Sequence, residues 1–382
     1  MAPSSASLTP EPGTAVPWFW PMTAAARFVQ EGLERYTENM KFLAEEAKIH
    51  HQLRPDPATA NTVRLDLRTM LLRDYSAADA RTPPTIVVAP YAGHSALIAD
   101  YHRGQSLVET LLAGGLDRVF LTDWKSATED MKDFEIAQYL AELNVCVDDL
   151  AGAGVRVNLI GLCQGGWMSA MYAARFPGKV ASLVLAGAPI DTDAGDGPVK
   201  RMAHACPTSF YKELVAMGGG LMRGDTMLAG WKNLRPEERY IKNHIELLEH
   251  IDESAYVAKE EAFTRWYENP IDLPGRWYLQ ATVQLFKENR LAKGTFVGLG
   301  RQLNLKDVKC PVYLIAGEQD DITTSEQVFE AERLLGTPGN LVEKRLVPGG
   351  HIGLFMGTRT LKEVWPAIAQ WIGAVSHARA PQ

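Results

Sequence analysis

Short apolar runs alternate along this chain with stretches whose apolar positions recur every three or four residues. The runs Thr85-Ile86-Val87-Val88-Ala89, Asp117 to Asp123, Val155 to Ile160, Val180 to Leu185 and Val312 to Ala316 have the length and β-branched content of buried strands. Leu65 to Tyr75 also reads as strand. Gly104 to Ala113, Asp133 to Leu150 and Trp167 to Phe176 carry helical spacing, and Leu361 to Ile372 predicts a last helix. Strands and helices in alternation predict an α/β fold with a mostly parallel central sheet and helices on both faces. Sites in such sheets form at the carboxyl ends of the strands.

Between Pro189 and about Asn304 the alternation stops, and the stretch turns helical and aromatic, with Trp231, Trp266, Tyr267, Trp277, Tyr278 and Phe286. It predicts a helical cap over residues 189–304, inserted into a core made of 61–188 and 305–376. Its aromatic residues serve either as cap core or as part of a substrate channel, and Gly218-Gly219-Gly220 is either a hinge or a loop. Residues 1–21, rich in Ser, Pro and Ala, read as a disordered tail in which Trp18-Phe19-Trp20 can anchor on a surface. Residues 22–60 read as an N-terminal helical segment with Phe28, Leu33, Tyr36, Met40, Leu43 and Ala47 near one face. That helix either packs on the main domain or docks on a partner or apolar surface.

Composition narrows the class. At 382 residues and 46% hydrophobic, the chain suits a globular enzyme with a sizeable core. A net charge of -7 argues against a nucleic-acid partner. No stretch is apolar for long enough to predict a membrane span. Met1 to Thr14 lacks the basic start and apolar core of a secretory signal, so a cytoplasmic location is expected. Cys146, Cys163, Cys206 and Cys310 lie far apart and read as thiols rather than a disulfide framework. All but Cys163 read as buried small apolar residues. The nine histidines show no metal-ligand spacing, so neither a metal nor another cofactor is expected.

The chemistry concentrates at Gly161-Leu162-Cys163-Gln164-Gly165. An apolar strand runs into Gly-x-Cys-x-Gly and then into a helix, which is the layout of a nucleophile elbow with cysteine in place of serine. A side chain at Gly161 or Gly165 would collide with neighbouring backbone in such a turn. The helix N-terminus aimed at the turn favours negative charge on the sulfur or on a developing oxyanion. A nucleophile needs a base, and the base an orienting group, in the chain order nucleophile, acid, histidine. The acid follows the strand ending at Ala316-Gly317, where Asp320 and Asp321 compete; Asp320 is the expected partner and Asp321 a helix-cap alternative. His351, in Pro348-Gly349-Gly350-His351-Ile352-Gly353 before the last helix, is the expected base. The oxyanion hole is expected from the backbone N–H of Gln164 with that of Tyr91 or Ala92, which follow the strand ending at Ala89. His94 either lines the substrate entrance or bonds locally, and Trp167 and Trp277 are candidate channel residues.

Gly-Leu-Cys-Gln-Gly-Gly at 161–166, Asp320 after its late strand and Gly-His-Ile-Gly around His351 resemble two related groups, the poly(3-hydroxyalkanoate) synthases and the intracellular poly(3-hydroxybutyrate) depolymerases. Both are α/β-hydrolase relatives with a catalytic cysteine, and the resemblance runs from about Thr85 to Ile372. The box at 161–166 and Asn269 to Trp277 look like synthase segments, the latter in degraded form. Pro90-Tyr91-Ala92-Gly93-His94, Thr122-Asp123-Trp124, Gly187 to Asp191 and Asp320-Asp321-Ile322 look more like the depolymerases. Asp321 departs from the Asp-His-Ile usual in synthases, and Gly165-Gly166 departs from the depolymerases, so a synthase-like hydrolase branch is a third home.

The resemblance implies an acyl-transfer enzyme with a Cys163–His351–Asp320 triad acting on 3-hydroxyalkanoate esters. These motifs place depolymerisation first and polymerisation of 3-hydroxyacyl-CoA second, with coenzyme A then entering as the thioester substrate. Chemistry pulls toward the synthase, because an acyl-cysteine is itself a thioester and exchanges easily with an acyl-CoA. Implied partners are the polymer or its granule surface and a second subunit or homodimer. A generic thioesterase or ester hydrolase, and a non-catalytic granule-associated binding protein that keeps the fold, are the rival readings.

Overall fold

The computed structural model describes residues 56–151, 154–234 and 262–377. The chain divides into two compact units, residues 1–51 and 52–382, and every described residue belongs to the second. The expected tail at 1–21 and most of the N-terminal helical segment at 22–60 lie outside the described residues; residues 56–60 are irregular.

Eight strands form one sheet: β1 (Thr62–Asp66), β2 (Met70–Asp74), β3 (Thr85–Val88), β4 (Val119–Trp124), β5 (Val157–Leu162), β6 (Val180–Ala186), β7 (Val312–Gly317) and β8 (Val342–Val347). Their order is β1-β2-β4-β3-β5-β6-β7-β8. β1–β2 and β2–β4 are antiparallel, and every other pair is parallel. The parallel register aligns Val88 with Gly161, Leu162 with Ala186 and Gly317 with Val347. The loops after β3, β5, β6, β7 and β8 therefore leave from one end of the sheet, where the chemistry gathers. Strands β3 to β6 are buried along their whole length, as strands covered on both faces must be.

Helices cover those faces. In α1 (Leu107–Ala113) the Ser106 hydroxyl caps the first turn by accepting from the Glu109 N–H. Helix α2 (Ile136–Ala151) buries Ile136, Tyr139, Leu140, Leu143, Cys146, Val147 and Leu150, one stripe at helical spacing. In α3 (Gln164–Arg175) every residue from Gly165 to Ala174 is buried, which marks a helix enclosed on all sides. A buried polar knot ties the layers together: Asn158 Oδ1 on β5 accepts from Ser182 Oγ on β6 and from Ser376 Oγ near the C-terminus, each at 2.8 Å.

Between β6 and β7 the chain leaves the sheet for α4 (Pro198–Ala205), α5 (Thr208–Met217), α6 (Gly224–Leu234), a helical turn at 262–267 and α7 (Gly275–Leu279), which continues as a π-helix over Gln280–Lys287. Its parts are joined by a two-stranded ribbon pairing Leu221–Met222 with Leu273–Pro274.

The sequence expectations need three corrections. Leu65 to Tyr75 is a hairpin, closed by the Leu67 N–H on the Met70 carbonyl, rather than one strand. Strand β8 has no counterpart in the hydrophobic pattern, because this edge strand, Val-Glu-Lys-Arg-Leu-Val, buries only Val347. The expected last helix breaks into Thr358–Glu363 and α8 (Trp365–His377), where Pro366 has no N–H to continue the helical ladder.

Candidate active site

Cys163 stands between β5 and α3 with φ 50° and ψ -116°, a conformation disfavoured for any residue with a Cβ. The turn is tight enough to need its glycines. A Cβ on Gly161 would fall within 3.0 Å of the Gly165 and Gly166 backbone, and one on Gly165 within 3.0 Å of the Val88 carbonyl. Gly166 is held as closely, since its Cβ would strike Ala188; that second glycine lets α3 pack on the loop after β6.

His351 arrives from the loop after β8 and Asp320 from the loop after β7. The imidazole Nδ1 and the carboxylate Oδ2 are 2.7 Å apart, with the side chains 3% and 0% exposed. The other oxygen, Oδ1, accepts from the backbone N–H of Ile322 at 2.9 Å and of Thr323 at 2.8 Å, so the carboxylate is fixed in rotation. The two loops meet because Gly317 lacks a side chain; a Cβ there would lie 2.6 Å from the Gly349 carbonyl. Gly187, with φ +55°, makes room for the ring itself, as a Cβ would come 3.1 Å from His351 Cε1.

Burial alone would push the proton off His351, but the charge of Asp320 and then that of Cys163 outweigh it and hold the imidazole well above the ordinary histidine range. Its second nitrogen, Nε2, is buried without a hydrogen-bond partner among the described residues, and His351 shares a cavity with Cys163. Asp321 does not take the place of Asp320 on the imidazole. An imidazole oriented by a carboxylate and lining the same cavity as a thiol is equipped to move a proton to and from that sulfur.

The cavity measures about 80 Å³, and its wall is almost entirely apolar. The core contributes Pro90, Ala92, Ile98, Ile322, Ile352 and Phe355, and the insertion contributes Trp231, Phe263, Trp266 and Tyr267. Ile322 and Ile352 are sequence neighbours of the acid and the histidine, a signal that adjacency alone offered. Phe263 had none, since its role depends on how the insertion folds back.

Of the expected oxyanion donors, Gln164 opens α3 directly after Cys163 and Ala92 lines the cavity. Tyr91 does not line it. Its ring is buried against Trp124, Tyr139 and Trp277, and its hydroxyl lies 3.0 Å from that of Tyr139. His94 lines the cavity, and its Nε2 lies 3.0 Å from the carbonyl of Tyr267 in the insertion, while its ring stacks on Tyr267. Trp167 and Trp277 need correction as channel residues. Each is 1% exposed, they pack on one another at 5.7 Å, and neither reaches the cavity. Cys206 is half-buried rather than buried; Cys146 and Cys310 are buried. Burial, then the charges of Glu142 and Asp149, push the Cys146 thiol up to about 12, so it is an inert packing group. Among the described residues no cluster of side chains suits a metal ion, and no helix is long and apolar enough to cross a membrane.

Comparison with known proteins agrees with this architecture. The poly(3-hydroxyalkanoate) polymerase subunit PhaC of Haloferax mediterranei is 29% identical over 279 residues, covering 72% of this chain and 55% of that protein. The PhaC subunit of Allochromatium vinosum is 28% identical over 303 residues, covering 78% of this chain and 83% of that protein. Among solved structures, a monoacylglycerol lipase of Paleococcus ferrophilus superposes with a TM-score of 0.51 at 16% identity, over 80% of this chain and 99% of that one, a likeness of fold. The family model described as "Protein of unknown function (DUF3141)" matches residues 60–333. The chain therefore belongs to the DUF3141 family, has an α/β-hydrolase fold and is similar in sequence to poly(3-hydroxyalkanoate) polymerase subunits.

Proposed function

We propose that this protein is an acyltransferase that polymerises 3-hydroxyacyl units from their coenzyme A thioesters, with Cys163 as nucleophile, His351 as general base and acid, and Asp320 orienting the imidazole. The observation that carries the reading is the 2.7 Å His351–Asp320 contact, with His351 and Cys163 lining one apolar cavity and Nε2 buried without a hydrogen-bond partner among the described residues. His351 takes the thiol proton as sulfur attacks the thioester carbonyl. The oxyanion is met by the N–H of Gln164 and of Ala92 or Tyr91. The bond from the carbonyl carbon to the coenzyme A sulfur breaks, and the departing thiolate takes the proton from His351. His351 then accepts the proton of an incoming 3-hydroxyl as that oxygen attacks acyl-Cys163, which forms the ester and returns the thiol.

The motifs alone place depolymerisation first. Two considerations favour the other direction. Both PhaC relatives are named as polymerase subunits, and an acyl-cysteine lies close in energy to an acyl-CoA, whereas making it from an oxygen ester is uphill. On this reading the protein works at a polymer or granule surface, with a second subunit or another copy of itself as the expected partner. No step calls for a cofactor.

The test supplies 3-hydroxybutyryl-CoA and amorphous polymer separately. Release of free coenzyme A with growing polymer supports the reading, and soluble hydroxyacid from polymer instead supports the depolymerase. Cys163→Ala is expected to fold and to lose all turnover; residual polymer formation or cleavage by that variant ends the assignment.

A further inference from the structure

Four successive residues of the loop after β3 are each held by the insertion between β6 and β7. The Ala92 carbonyl accepts from Trp231 Nε1 at 3.2 Å, and the Gly93 carbonyl accepts from the Ile271 N–H at 2.8 Å. His94 Nε2 lies 3.0 Å from the Tyr267 carbonyl, and the Ser95 carbonyl accepts from Trp266 Nε1 at 3.0 Å. Contact is close enough that Gly93, at φ +89°, would bring a Cβ to 3.3 Å from Met227 on α6. The sheet grips this loop at its start, where the Ala89 N–H donates to Thr122 Oγ1, the Ala89 carbonyl accepts from Trp124 Nε1 and the Tyr91 ring packs on Trp124.

We propose that Trp231 and Trp266 are positioning residues for acyl transfer, which set the oxyanion-binding loop so that the donor N–H of Ala92 is aimed only while the insertion is seated. The proposal rests on Cys163 being the nucleophile, and it deepens that reading. A peptide unit is planar, so a bond to the Ala92 carbonyl fixes the orientation of the whole Ala92–Gly93 plane and narrows the torsion at Ala92. An oxyanion donor acts by being aimed before charge develops, and its loss costs about a hundredfold to a thousandfold in rate. Trp231 also lines the cavity with Cys163, so the side chain that walls the substrate is the one that steadies the loop. Substrate occupancy and oxyanion geometry are thereby coupled through one indole.

The test separates oxyanion chemistry from access to the sulfur. Trp231→Phe and Trp266→Phe keep an aromatic ring and delete the donor. Acylation of Cys163 by 3-hydroxybutyryl-CoA is followed by mass spectrometry alongside alkylation by iodoacetamide, a reaction that develops no oxyanion. Acylation is expected to fall about tenfold or more in each variant, with alkylation unchanged or faster. Unchanged acylation overturns the proposal, and so does a parallel fall in both reactions, which marks a merely structural role. Wild-type protein that is alkylated but never acylated instead refutes the underlying reaction before the variants are compared.

Discussion

Gly165 and Val88 approach so closely that no side chain fits between the first turn of α3 and the end of β3, for a Cβ at Gly165 would lie within 3.0 Å of the Val88 carbonyl. The obstacle is backbone in a central strand, which cannot swing aside as a flexible side chain can. Gly165→Ala is therefore expected to destabilise the fold by about 3 kcal/mol or more, whereas alanine at Gly353, where nothing lies within 4 Å, is tolerated. Urea midpoints of the two variants decide it; equal midpoints would mean that the elbow is looser than described.

Asp320 fixes both the orientation and the tautomer of His351, because Nδ1 must carry the proton given to Oδ2. An amide in its place can present its own N–H to Nδ1 and leave Nε2 unable to accept. Asp320→Asn is expected to lower kcat by about a hundredfold to ten-thousandfold. Asp321→Asn, lacking the contact to the imidazole, should lie within a fewfold of wild type. Equal losses in both would transfer the orienting role away from Asp320.

The raised affinity of His351 for its proton also sets a pH dependence of stability. The folded state holds the proton more tightly than the unfolded chain, so this contribution is fully present below about pH 6.5 and is lost as pH rises through the folded value. The gap in urea midpoint between wild type and His351→Gln should therefore be widest below about pH 6.5 and narrow as pH rises above it. A gap that widens with pH would reverse the sign and with it the account of the Asp320 and Cys163 charges.

Asn158 gathers two hydroxyls in the dry interior. Asn158→Ala leaves the Ser182 hydroxyl without its acceptor, while that of Ser376 keeps the Ile372 carbonyl, and should cost about 1–3 kcal/mol. The affected contacts join β5, β6 and α8, remote from the thiol, so turnover per folded molecule is expected to stay at wild-type level; a selective loss of turnover would place this knot in the chemistry.

Thiol labelling of native protein offers a fifth check. Cys163, reached through the cavity, and half-buried Cys206 should react with iodoacetamide, while Cys146 and Cys310 stay unmodified until the protein is unfolded. Peptide mapping that finds Cys146 labelled first would contradict the packing of α2.

Much of this was legible in the chain because each element carried its own local chemistry. The tight turn at Cys163 was legible from a strand, two glycines and a helix in sequence; Asp320 was placed by the late strand before it, and His351 by its glycine-rich loop before the last helix. Trp167 and Trp277 were misread because a tryptophan near a nucleophile looks alike in sequence whether it faces a channel or a core, and only the insertion's path decides. The polar β8 escaped because a parallel edge strand needs little burial to pair. Gly187 and Gly317 were invisible as site residues, since their contribution is the absence of a side chain between loops far apart in the chain.

That last strand has a consequence of its own. Among the described residues β8 is an edge strand, paired with β7 on one side and carrying Glu343, Lys344 and Arg345, with none of the three buried. A neighbour aligning there would have to bring its backbone alongside a fence of mixed charges, which discourages strand-to-strand stacking between molecules. Crowded solutions of this protein are thus guarded, at that flank, against growing into ribbons.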